Sequence, residues 1–367
     1  MKALVFGGTG PTGPYLVNGL VERGYDVSIM HRGTHDSDLI PASVERLIGD
    51  PHFRETLRET LGARRFDLVI ATYGRIRYIA DEMVGRTPRL ITIGGPPSYR
   101  GMVVADGSYP PGMPIPTPEH APRIESEEEF RFGYLIRATE DAVLGHHEAG
   151  DYEATLFRYP LVYGFAPLGG AVWPVMERVF DGRKHLVLPD GGLGLVSRGF
   201  SENMAHAVLL SVDHPAAASG QIFNCADERQ FTFTQWVRLI CDSLDSQLEI
   251  IGLPAEFACN SDDFFQLGAA PLHQLLDVQL VRERLGYRDL VDPIDAVRRV
   301  VEWHLTHPGP RRSGRGDPLN YEAEDAQVAA YRRFAIELAG IPVNRSEVHH
   351  PYPHPKEPGT QRDHRSR

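Results

Sequence analysis

The chain has 367 residues, 42% of them apolar and 24% charged, which is too hydrophobic for a disordered protein and enough for a large core. Lys and Arg total 38 against 49 Asp and Glu, a formal charge of −11, so the surface repels a phosphate backbone and nucleic acid is not an expected partner. No stretch approaches the roughly 20 apolar residues that span a bilayer, the first ten residues lack a signal-peptide core, and Cys225, Cys241 and Cys259 lack paired spacing, so a reducing cytoplasm is expected, without disulfides, structural zinc or another bound metal.

The apolar run Lys2 to Phe6 is followed by Gly7-Gly8-Thr9-Gly10-Pro11-Thr12-Gly13, and then by Tyr15-Leu16-Val17 and Leu20-Val21 at helical spacing. This order is strand, glycine turn, helix. One glycine makes the tight turn, a second lets the main chain approach a pyrophosphate, and a third lets the helix sit close to the strand, with the diphosphate at the positive end of the helix. Gly7, Gly10, Pro11, Thr12 and Gly13 are therefore candidate dinucleotide contacts.

The next strand, Asp26 to Met30, ends in His31 and Arg32, with no carboxylate until Asp36. A carboxylate there accepts from the ribose 2′-hydroxyl of NAD, whereas an arginine pairs with the 2′-phosphate of NADP. His31 and Arg32 predict NADP, with NAD still open.

Strand-like runs alternate with helical patterns as far as residue 164, which predicts a doubly wound parallel sheet of the Rossmann type with ligands bound beyond the carboxyl ends of the strands. Between Pro96 and Pro122 there are eight prolines in 27 residues, so this stretch is a long loop and a candidate lid. Glu125 to His147 reads as a long helix with acidic residues in its first turn. After His307-Pro308-Gly309-Pro310 the composition shifts: Arg311 to Gly316 is basic and rich in glycine, Tyr321 to Leu338 suits one more helix, and the end carries His349-His350-Pro351-Tyr352-Pro353-His354-Pro355-Lys356. That tail reads as an extended segment packed on the molecule or on a partner subunit, which leaves a homodimer open.

The spacing Gly7, Gly10, Gly13 resembles the extended short-chain dehydrogenase/reductase family, which includes nucleotide-sugar epimerases and dehydratases. Further similarity lies in Leu47-Ile48-Gly49-Asp50, in Ala71-Thr72-Tyr73, in Arg158-Tyr159-Pro160-Leu161-Val162-Tyr163-Gly164, in Gly220 to Asn224 and in Leu285-Gly286-Tyr287. The resemblance implies that Asp50 meets the adenine and that Ala71, Thr72, Tyr73, Tyr159, Leu161 and Val162 lie along the cofactor. It also implies a dinucleotide domain over 1–164 completed by about 196–226, a substrate lobe from 165–195 and 227–310, and an extension over 311–367.

The chemistry implied by the family uses a Tyr, a Lys four residues later and a Ser or Thr after the fifth strand. Here Tyr134 is followed four residues on by Ala138; alternatively Arg137 takes the Lys place, also as a cofactor contact, and Gly133 then takes the Tyr place. Tyr134 and Arg137 share a helix face, so the guanidinium is expected to favour the phenolate, and these two are the candidate catalytic residues. Gly95 replaces the hydroxyl. Ser98 and Tyr99 are candidate substitutes, and Tyr73, Arg75, Arg77 and Tyr78 after the fourth strand form a cluster suited to an anionic or carbonyl-bearing small-molecule substrate. Two functions compete: an NADP-dependent enzyme catalysing reduction, dehydrogenation or cofactor-assisted isomerisation or epimerisation, and a non-catalytic nucleotide-binding module for a protein or RNA partner.

Overall fold

Strands such as Ala3 to Phe6 and Leu68 to Ala71 are buried along their whole length, which suits a sheet covered on both faces. In the computed structural model, which describes residues 1–34, 37–165, 172–259, 272–309, 320–343 and 358–359, they form the centre of such a sheet. Strands β1 (Lys2–Phe6), β2 (Asp26–His31), β3 (Glu45–Ile48), β4 (Leu68–Ala71), β5 (Arg89–Gly94) and β6 (Glu153–Arg158) are joined by α1 (Gly13–Glu22), α2 (Arg54–Leu61), α3 (Ile76–Glu82) and α4 (Glu127–Glu148). There follow β7 (Leu161–Tyr163), α5 (Val172–Phe180), β8 (His185–Pro189), β9 (Arg198–Phe200), α6 (Ser201–Asp213), α7 (Pro215–Ala218), β10 (Gln221–Asn224), α8 (Phe233–Asp242), β11 (Glu249–Leu253), α9 (Gln279–Leu285), α10 (Pro293–Thr306) and α11 (Tyr321–Ala339).

The main sheet has seven strands in the order β10-β6-β5-β4-β1-β2-β3, every pair parallel. The order reverses between β1 and β4, and that switch point opens a crevice at the carboxyl ends of both strands. One face packs Leu16, Leu20, Met204 and Val208 from α1 and α6. The other packs Leu57, Leu61, Ile79 and Val143 from α2, α3 and α4. A second core, with Met176, Trp236 and Val300, joins α5, α8 and α10 to the small β8-β11 pair.

Contacts group Met1–Glu324 into one unit, so the sheet and the second core belong together, and Asp325–Arg367 into another. The expected helix after residue 320 is α11. Asp36, the basic run 311–316 and the histidine-proline tail 349–356 lie outside the described residues. No helix among the described residues is long and apolar enough to cross a membrane.

Helix α4 begins two residues later than its composition suggests, because the Ser126 side chain accepts from the Glu129 N–H and caps it. Loop 96–122 contains two short turns of 3-10 helix, at Pro96–Ser98 and Ala105–Gly107. It is tied down by Thr117, which bridges to Leu276 and accepts from the Asn224 amide at 2.9 Å.

Asp227, just after β10, holds the second core to the sheet. Its carboxyl accepts from the Phe200 N–H at 3.0 Å, the Asn203 amide at 2.9 Å and the Tyr163 hydroxyl at 2.8 Å. Burial pushes this carboxyl up to about 7, helped by nearby Asp289, against the hydrogen bonds from Asn203, Phe200 and Tyr163. Between the ordinary carboxylate range and that value the unfolded chain has lost the proton while the folded protein keeps it. Stability therefore falls as pH rises through this window. Urea unfolding across it should show that slope, and Asp227→Asn should flatten it; an unchanged slope would place the titration elsewhere.

Candidate functional site

The glycine turn is shaped by close approach. Gly7 has φ +84°, and a Cβ on it would stand 2.5 Å from Thr72 Oγ1 and from Tyr73 Cβ. A Cβ on Gly13 would overlap the Gly8 carbonyl, so this glycine lets α1 start directly against the turn. Thr72 Oγ1 donates to the Phe6 carbonyl at 2.9 Å and locks the end of β4 to the end of β1.

A cleft of about 350 Å³ lies over this turn. Gly7, Gly10, Pro11 and Thr12 form its floor beside the amino end of α1, and His31, Arg32 and Thr34 form its far end. Thr72, Tyr73, Tyr159 and Val162 line it as well. His31 is buried, and neither ring nitrogen has a hydrogen-bond partner among the described residues. The Arg32 guanidinium lies 5.5 Å from the centre of the Tyr73 ring. A main-chain cradle at a helix amino terminus, ending in an unpartnered imidazole and an arginine, fits a dinucleotide.

Other expected cofactor contacts sit differently. Ala71 is buried in β4, Leu161 lines a neighbouring cavity, and Asp50 lines neither space. Asp50 instead accepts from the His52 N–H at 3.0 Å and meets its Nδ1 at 2.7 Å. Partial burial raises the Asp50 carboxyl, but His52 and Arg32 outweigh it and leave it below its ordinary range.

The neighbouring cavity, of about 920 Å³, shares Thr72, Tyr73, Ile93 and Tyr159 with the cleft, so the two are continuous. Its walls include Leu156 and Leu161 from the sheet side, Met102 and Met113 from loop 96–122, and Val196, Gln274 and Leu276 opposite. Gln274 donates to the Met102 carbonyl at 2.9 Å, which ties the loop to that opposite wall. Arg75 and Arg77 line the cavity from the segment after β4.

Helix α4 supplies Arg131, Phe132, Leu135, Ile136, Thr139 and Glu140 to the cavity, and neither Tyr134 nor Arg137 is among them. The expected catalytic pair therefore does not line this cavity. The guanidinium of Arg137 donates to the Ile124 carbonyl at 2.8 Å and pairs with Asp141 at 3.3 Å. Two contacts set the rotation of the helix. Gly133 packs so closely on the Pro97 carbonyl that a Cβ would overlap it, and the Glu140 carboxylate meets Arg158 through two bonds of 2.7 Å. The cavity-lining residues of α4 thus include several pairs at a spacing of four, among them Phe132 and Ile136, but neither Tyr134 and Ala138 nor Gly133 and Arg137.

Ser98, Tyr99 and Tyr78, expected to bind substrate, also stand outside the cavity lining. Ser98 is fully buried. The Tyr99 hydroxyl accepts from Arg158 at 2.6 Å and donates to Asn224 at 2.7 Å, and burial pushes its pKa up to about 12 in spite of Arg158. Tyr78 is covered by the Arg54 guanidinium, 4.3 Å from its ring centre. Tyr73 and Arg75 do reach the cavity, together with Arg77. Phe132, Ile136, Met102 and Met113 escaped the sequence reading; the signal that could have placed the first two is Glu140, whose burial fixes the helix face.

The likeness to solved structures follows from this arrangement. UDP-glucose 4-epimerase of Thermotoga maritima, solved with UDP-glucose, superposes with a TM-score of 0.67 at 18% identity, over 84% of this chain and 99% of that one. The dTDP-glucose 4,6-dehydratase of Streptomyces venezuelae, solved with NAD and TYD, gives 0.63 at 16% identity, over 83% and 97%. The fold is that of the nucleotide-sugar epimerases and dehydratases. No protein-family model matches the chain. In sequence it is similar to a 3-diazoavenalumate denitrifying reductase of a Streptomyces species, 26% identical over 330 residues that cover 85% of this chain and 98% of that protein.

Because Arg158 is wholly buried, Glu140→Ala should leave an uncompensated charge and cost about 3–5 kcal/mol. The exposed neighbour Asp141→Ala should stay within about 1 kcal/mol. Urea unfolding of the two variants side by side checks this, and equal losses would remove the special role of the buried pair.

Proposed function

We propose that the protein is a nicotinamide-dependent reductase that passes hydride to a small organic molecule with an apolar body and an anionic end. The observation that carries this reading is the opening of the dinucleotide-shaped cleft into a large, mainly apolar cavity at Thr72, Tyr73, Ile93 and Tyr159. A bound nicotinamide would supply the hydride. The chain's own residues hold and orient. The turn Gly7 to Gly13 receives the diphosphate, and His31 with Arg32 receives the adenosine ribose in its phosphate-bearing form, which makes NADP the favoured cofactor and NAD the lesser one. Arg75 and Arg77 reach the cavity without a carboxylate partner among the described residues and suit an anionic group of the substrate.

Reduction of a small organic molecule is favoured over sugar epimerisation or dehydration because Met102, Met113, Phe132 and Ile136 give the cavity an apolar lining that suits an apolar body better than a sugar. The similar Streptomyces protein is likewise a reductase by name. The broken Tyr and Lys pattern on α4 favours a second reading, a non-catalytic nucleotide-binding module. The cavity that opens on the cleft speaks for the reductase.

Calorimetry should show NADPH binding more tightly than NADH, with Arg32→Gln reducing the difference roughly tenfold, the worth of one charge-assisted contact. Equal affinities in the parent would remove the role of Arg32, and binding of neither would overturn the reading. Arg77→Gln should weaken binding of aryl carboxylates to the NADPH complex while leaving their methyl esters unaffected. Equal weakening of both would place Arg77 in the cavity wall only.

A further inference from the structure

We infer that His31 takes up a proton from solution when the phosphate-bearing cofactor binds, so that pH sets the protein's choice between NADPH and NADH. This rests on the reductase reading and adds a regulation of the same site. His31 is 7% exposed, and among the described residues it is the one histidine whose two ring nitrogens are both buried without a hydrogen-bond partner. Buried polar groups are normally paired, so a ring left this way at the end of a cleft marks a place for a ligand atom. The backbone beneath it is fixed. His31 stands in register with Ile48 of β3, and its carbonyl accepts from the Gly49 N–H at 3.0 Å.

The charges around the ring show what that ligand brings. Arg32, the next residue, lines the same end of the cleft. The turn Gly7 to Gly13 carries no titratable side chain. From the end of β4 comes Tyr73, with the Arg32 guanidinium 5.5 Å from its ring centre. Beyond β3 lie Asp50 and His52, engaged with each other at 2.7 Å, and Asp50 does not line the cleft. Among the described residues the cleft lining thus holds an imidazole and a guanidinium but no carboxylate, so the negative charge has to arrive with the ligand.

Charging an imidazole in this position costs desolvation and repulsion by Arg32 as long as no anion stands beside it. A phosphate reverses both terms. Histidine is the side chain whose charge changes most readily between roughly pH 5 and 8, and a phosphate monoester carries about −1.5 to −2 at pH 7, with its second pKa near about 6. Above neutrality the phosphate is already close to a dianion, so its own titration releases protons on binding. Net uptake therefore identifies a base on the protein. The proton stays on His31 while the 2′-phosphate is bound and takes no part in hydride transfer. NADH, with a hydroxyl in that place, gives the ring no reason to charge. Falling pH thus turns the protein toward NADPH, and rising pH narrows the difference.

The test is calorimetry of the full chain with NADPH and with NADH, in HEPES and in Tris, whose different ionisation enthalpies reveal the protons exchanged. NADPH binding should take up about half a proton to one proton more than NADH binding, and the preference for NADPH should fall roughly threefold to tenfold from about pH 7 to about pH 8. His31→Gln should remove the extra proton, with NADH binding in the same variant reporting that it folds. His52→Asn, which alters the neighbouring histidine, should keep it. NADPH binding without extra uptake would overturn the inference and leave the cofactor site standing. Extra uptake that survives in His31→Gln, or disappears in His52→Asn, would also overturn it by placing the proton elsewhere. Binding of neither nucleotide would instead remove the reductase reading itself.

Discussion

A guanidinium wholly inside a protein is tolerable only when its charge and its donors are met, and Arg158 at the end of β6 imposes that demand on everything around it. Glu140 of α4 meets it with two bonds of 2.7 Å, Tyr99 with its hydroxyl at 2.6 Å and Glu119 with its carbonyl at 2.9 Å. One side chain thus ties together the sheet, the long helix and the proline-rich loop. The tie extends to β10, since Asn224 receives the Tyr99 hydroxyl and its own N–H is accepted by the Glu119 carboxylate at 3.0 Å.

The site inherits its character from this network. Fixing Glu140 fixes the rotation of α4, because each helical residue turns by about 100°. That rotation brings Phe132 and Ile136 to the cavity and sends Tyr134 and Arg137 to its outer side. Fixing Tyr99 and Glu119 seats the loop so that Met102 and Met113 close one wall. A protein with a net charge of −11 then presents, in the lining of this mainly apolar cavity, two arginines without carboxylate partners among the described residues. Local charge, not net charge, decides what such a cavity attracts.

Much of the architecture is local and was legible. The fully apolar short runs, the glycine turn and the intervening amphipathic segments specify parallel strands with crossover helices, because each is a property of adjacent residues. The cradle at Gly7 to Gly13 was legible for the same reason: no side chain fits where Gly7 and Gly13 approach their neighbours. His31 and Arg32 are placed at the end of the cleft simply by ending β2.

The sequence by itself determined the parallel sheet and the glycine turn over which the cleft lies, since continuous apolar runs and steric need at glycine act within a few residues, whereas the strand order came from the structure. Only the tertiary structure decided which face of α4 meets the cavity. The buried positions of that helix are Gly133, Glu140 and Val143, a glycine, a charged residue and one apolar residue, so no apolar stripe marks the inner side. Its phase is set by a carbonyl of the proline loop and by a guanidinium on β6, partners that are distant in the chain and meet α4 only once the sheet has formed. Tyr99 was hidden in the same way: a phenol beside prolines reads as a candidate ligand contact until Arg158 and Asn224, from two different strands, converge on its hydroxyl.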